Sequence, residues 1–186
     1  MNPVGATCAG WDGPTMRMRD AIGVLVGAAA VALGAQIDVP MVPVPMTLQS
    51  LAVVAAGGLL GARLGPVAML LYLLVGGLGA PVFARGGSGT GALTGATAGY
   101  LIGFVPAAWI AGRPGPRSPA RWIGLMIVAH VAIVALGGGW LAWKTSPALA
   151  WSRGAEPFIA GMLVKSAVAG LVVWASRRLR ASRSVS

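Results

Sequence analysis

Six runs of about twenty apolar residues, at 21–37, 46–62, 64–83, 92–112, 122–143 and 157–176, occupy most of this 186-residue chain. Crossing a bilayer as a helix takes about 17 to 25 such residues. Strands of a membrane barrel would be roughly ten residues long and strictly alternating, whereas these runs are longer and apolar on every face. Helices are therefore expected, because only they satisfy the backbone of an isolated apolar run in lipid. The expected fold is all-α: an integral membrane protein of six transmembrane helices over 21–178. A mobile amino-terminal tail (1–20) is expected before it and a short basic tail (179–186) after it. Charged residues make up only 10% of the chain, against about a quarter in soluble domains, which excludes an ordinary soluble enzyme. One cysteine, Cys8, allows no internal disulfide.

Fourteen Lys and Arg stand against four Asp and Glu, a formal charge of +10. In a soluble chain that excess would suggest nucleic acid. Its distribution says otherwise. With both termini cytoplasmic, one side of the membrane collects Arg17, Arg19, Arg63, Arg113, Arg117, Arg121, Arg177, Arg178, Arg180 and Arg183, ten of the fourteen. The other side keeps Arg85, Lys144 and Arg153 with Asp38 and Glu156. Positive-inside asymmetry accounts for this pattern and a nucleic-acid groove does not. The membrane implied is the bacterial cell (cytoplasmic) membrane. A secretory leader over 15–35 is the lesser reading, since nothing in the charge pattern asks for its removal.

Two outer connections have special composition. Asp38 to Pro45 carries alternating prolines, which remove backbone donors and hold an extended path. The segment 81–91 is rich in glycine, which permits close backbone approach to a ligand. The inner turn 61–65, Gly-Ala-Arg-Leu-Gly, is minimal.

Inside the expected spans there is no Asp or Glu, one histidine (His130) and one lysine (Lys165). General acid–base pairs, zinc sites and proton relays need more. No enzyme is expected, no metal or other cofactor, and no proton-driven antiporter. No G-x-x-x-x-G-K-[ST] loop is present, so uphill transport would draw its energy from a partner. His130 reads as a packed neutral histidine. Lys165 is more informative. A lysine near the centre of a span costs about 2.5 to 3.5 kcal/mol, and at about 1.5 Å per residue it lies roughly 12 Å below Pro157. It should face a cavity and meet an anion. Arg85, in the glycine segment, is the second candidate cation, and two cations on the outer side suit an elongated ligand with a carboxylate tail. Ala28 and Ala32 form a small-xxx-small ridge on the first span, suited to close helix approach or to internal packing alone.

Between residues 35 and 104 the chain resembles the BioY family, the biotin-binding substrate-specificity (S) components of energy-coupling-factor (ECF) transporters. The words that carry the likeness are Pro43-Val44-Pro45-Met46-Thr47-Leu48-Gln49, Gly61-Ala62-Arg63-Leu64-Gly65, Gly79-Ala80-Pro81-Val82-Phe83-Ala84 with the glycine loop after it, and Gly95-Ala96-Thr97-Ala98-Gly99-Tyr100. Near the end, Pro157-Phe158-Ile159-Ala160-Gly161-Met162-Leu163-Val164-Lys165 resembles the family's P-F-x-x-G-D-x-x-K segment. The resemblance implies a six-helix protein that binds biotin in an outward-facing pocket under the first outer loop. It also implies docking on a transmembrane coupling protein driven by two ATPases, with Ala28 and Ala32 in the docking face. It places Lys165, Gly86 and Gly87 at the pocket and Thr97 and Tyr100 close to it. Met162 replaces the usual aspartate; Thr47, Gln49 and Thr97 are the polar groups available instead, and Met162 itself can pack on a thioether ring. Arg85 is a second departure within the glycine loop. Two other readings fit the same residues: a solitary biotin carrier working without ATPases, and a membrane scaffold with no ligand.

Overall fold

Runs with no polar face leave the backbone nothing but itself to bond with in lipid, and the chain is helical accordingly. The computed structural model describes residues 17–39, 43–114 and 118–183. Its helices are α1 (Met18–Ala35), α2 (Gln49–Gly77), α3 (Gly89–Thr94), α4 (Ala98–Ala111), α5 (Pro119–Lys144), α6 (Pro147–Leu149) and α7 (Phe158–Arg183). A π-type turn, Ala150–Ala155, joins α6 to α7, and two short strands, β1 (Asp38–Val39) and β2 (Met46–Thr47), pair antiparallel. By length and composition four helices, α1, α2, α5 and α7, suffice to cross a membrane, α2 being counted through its non-helical Gly61. Because α1 begins at Met18 and α7 runs to Arg183, the inner parts of both expected tails are helix; residues 1–16 and 184–186 lie outside the described residues.

Helix α2 hides a reversal. A straight helix would separate Gln49 from Tyr72 by roughly 34 Å, yet Gln49 Nε2 donates to the Tyr72 hydroxyl at 2.5 Å. The chain turns back at Gly61, whose φ of 88° and ψ of 170° belong to a region that essentially only glycine enters. A Cβ built on Gly65 would stand 2.9 Å from Gly57 Cα, so the two limbs touch beside the hinge. This is the minimal turn expected between the second and third apolar runs. The limbs rise only about 18 and 24 Å.

The third and fourth runs end and begin differently from expectation. Helix α2 stops at Gly77 rather than continuing through Phe83, and α4 starts at Ala98, with a bend at Gly95–Thr97 separating it from the short α3. Glycine and threonine there break a run that hydropathy alone reads as continuous.

At the hinge end the helices converge on backbone. Arg177 donates from Nε (3.0 Å) and a terminal nitrogen (2.6 Å) to the Gly58 carbonyl, and its guanidinium lies over the Trp122 ring at 5.0 Å. Gly112 abuts the Gly61 backbone, so Arg63, Arg113 and Arg177 gather at this one end. On α1, Gly27 lies against Ala56 and Ala68, one from each limb of α2. Its neighbour Ala28 is buried in the core cluster while Ala32 is only half-buried. Ala28 packs inside the bundle, as the internal-packing alternative expects, and the outward stripe of α1 carries Leu25, Ala29 and Leu33.

Candidate functional site

At the end opposite the hinge, α2, α4, α5 and α7, with the segments leading into α2 and α3, enclose a cavity of about 210 Å³. Its polar lining is Thr47, Gln49, Ser50, Thr97, His130 and Lys165, and its aromatic lining Phe83, Tyr100, Phe104 and Phe158. Arg85, Gly87 and Met162 complete the predicted residues found there. Thus eight of the nine expected binding positions share one cavity, and Gly86 is the exception. Gly86 takes a φ of 68° and shapes the loop without bordering the space.

Lys165 lies two turns into α7 and points into the bundle. Its ammonium donates to the Thr47 carbonyl at 2.6 Å and to Ser50 Oγ at 3.4 Å. An ammonium has three donors, so these two contacts hold the charge in place and leave it able to serve an anion. None of the cavity residues is acidic.

The loops over the cavity are fastened by side chains reaching carbonyls. Gln49 donates to Tyr72, whose hydroxyl donates in turn to Val82 O at 3.1 Å, while the Thr47 hydroxyl donates to Gln49 Oε1 at 3.4 Å. Gln36 Nε2 donates to Phe83 O at 3.2 Å. Phe83 folds back so that its ring meets Tyr72 edge-on, centroids 5.4 Å apart. Gln49 therefore borders the cavity chiefly as a brace. Tyr100 plays a similar part: its hydroxyl donates to Gly154 O at 2.6 Å and its ring, 6.0 Å from that of Phe158, forms apolar wall.

Arg85 sits at the mouth. Its φ of 58° is rare for a residue with a side chain, and its Nε donates to Asp38 Oδ2 at 3.0 Å, joining the glycine loop to β1. Hydropathy could not foresee a partner 47 positions away. Ser50, Phe83, Phe104 and Phe158 also line the cavity; Phe83 and Phe158 stand in the family words, but nothing in their type or spacing marks any of the four as pocket wall. His130 is packed, as expected, yet also borders the cavity.

A second crevice of about 500 Å³, almost wholly apolar, runs between α5, the π-type turn and α7, and shares Val134 and Met162 with the first. The methionine thus borders both spaces, one turn before Lys165 on α7.

Comparison with known proteins matches residues 9–182 to the BioY family. The chain is 40% identical over 168 residues to the biotin transporter BioY of Rhodobacter capsulatus, covering 80% of this chain and 87% of that one. It is 34% identical to the biotin transporter BioY of Thermotoga maritima, covering 89% of this chain and 100% of the relative. A probable biotin transporter BioY of Pyrococcus horikoshii is 37% identical over 157 residues. In fold the chain is similar to a crystal structure of the S-component for biotin from an ECF-type ABC transporter, with a TM-score of 0.74 at 22% identity, covering 86% of this chain and 91% of that one. With a match over nearly its full length and relatives above 30% identity, this chain belongs to the BioY family.

Proposed function

We propose that this chain captures biotin from outside the cell as the S component of an ECF-type transporter. The observation that carries the reading is the Lys165 ammonium, held in the wall of a loop-covered cavity by Thr47 and Ser50. An apolar and aromatic enclosure with one buried cation suits a small acid whose other end is a compact ring. Lys165 attracts the carboxylate, with Arg85 at the mouth as the second cation. Thr47, Gln49, Thr97 and Tyr100 surround the ring, Gly86 and Gly87 shape the loop, and Met162 packs on the thioether.

The six-crossing arrangement follows from treating the two limbs of α2 as separate crossings alongside α1, α4, α5 and α7. The arginine-rich hinge end then faces the cytoplasm, in the bacterial cell membrane, with both termini on that side. Release inward requires a coupling protein and two ATPases, with the Ala28–Ala32 ridge of α1 as part of the face that meets them and Ala32 its more exposed member.

Titration of detergent-purified protein with biotin, followed by calorimetry, tests this. Binding that weakens at least about 100-fold in Lys165→Ala is expected, since a buried charge pair with a carboxylate is lost. Absence of binding, or a variant indistinguishable from the parent chain, sinks the reading.

A further inference from the structure

His130 occupies the middle of α5 and is only 2% exposed. Its Nδ1 lies 3.1 Å from the carbonyl oxygen of Met126, one turn earlier, and 2.9 Å from Ser166 Oγ on α7. A carbonyl can only accept, so Nδ1 carries the proton and shares it between these two oxygens; the other tautomer would set two lone pairs against each other. In the neutral ring Nε2 is then an acceptor. It is the one buried side-chain nitrogen or oxygen without a hydrogen-bond partner among the described residues.

Buried acceptors left unpaired cost free energy, and in native proteins each such group calls for a reason. Here the residue borders the same cavity as Lys165 and Thr97. The lysine can only donate, so it cannot satisfy a ligand N–H. We propose that His130 is a specificity-determining residue whose Nε2 accepts a hydrogen bond from a ligand N–H. Resting on the biotin reading above, this assigns it one of the two N–H groups of the cyclic urea, while Lys165 serves the anionic tail. Met126 and Ser166 are the positioning residues that fix the ring's tautomer.

The test uses the whole protein in detergent and three ligands: biotin and its two analogues methylated on one or the other urea nitrogen. The parent chain should bind one methylated analogue about 10- to 100-fold more weakly than biotin. His130→Leu should weaken biotin by a similar factor and bind that analogue and biotin alike, while His130→Gln, which keeps an acceptor oxygen, should recover most of the affinity. A His130→Leu variant that binds biotin normally, or that keeps the parent's preference against that analogue, overturns the inference. So does equal binding of all three ligands by the parent chain, a measurement independent of whether any variant folds. Failure of the parent to bind biotin at all is a different result: it removes the biotin reading and this inference together.

Discussion

Around Gly61 the helices meet backbone to backbone, and a Cβ on Gly57 would stand 2.5 Å from the Ala108 carbonyl oxygen. Arg177 on Gly58 is the long side chain that ends on a carbonyl there, whereas around Lys165 such bridges are several: Lys165 on Thr47, Gln36 on Phe83, Tyr100 on Gly154 and Trp140 on Gly95. In lipid no hydrophobic force distinguishes one arrangement from the other. Contact between small residues closes one end by leaving no room, and hydrogen-bonded struts keep the other end hollow, with His130 Nε2 the polar atom there left without a partner among the described residues. A bundle of nearly uniform composition thus acquires a closed end and a receiving end from where glycines and polar side chains fall.

The strongest way to break that contrast is at the closed end. Gly57→Leu forces a side chain into the α4 backbone and should cost about 3 kcal/mol, read as a large fall in melting temperature in detergent; an unchanged melting temperature would mean that α2 and α4 do not touch. Arg177→Gln comes next. It loses two charge-assisted bonds to Gly58, about 2 kcal/mol of stability, and leaves biotin affinity within about twofold because the residue lies away from the cavity.

At the receiving end the effects move from stability toward binding. Tyr100→Phe removes the bond to Gly154 at about 1 kcal/mol; the π-type turn loosens, and calorimetry should register a severalfold weaker biotin association. Asp38→Asn is the mildest. The Arg85 pair is partly exposed, so it contributes less than about 1 kcal/mol. Any difference from the parent chain should shrink as salt is raised, and a salt-independent difference would argue that Asp38 acts otherwise.

Much of this was legible before any coordinates. Lys165 stood out because an ammonium in an apolar run must find a cavity, and the break at Gly61 because a five-residue Gly-Ala-Arg-Leu-Gly turn allows nothing longer. Other features were beyond reach for a physical reason: they depend on pairs remote in sequence. Arg85 read as a free-standing candidate for the ligand, and only the fold brings Asp38 to it. The Ala28–Ala32 ridge fitted docking and internal packing equally, because spacing cannot tell which face of α1 meets α2. The start of α4 was masked by apolar residues continuing upstream to Ala92, and the unpartnered nitrogen of His130 exists only because Met126 and Ser166 both claim the opposite side of the ring.

Between the innermost ammonium and the outermost guanidinium runs a short relay: Lys165 holds Thr47, Thr47 is the ladder partner of Asp38, and Asp38 holds Arg85. The two cations of the cavity are thus tied to one another through β1 and β2, so that neither can shift without a change in the strand pair between them.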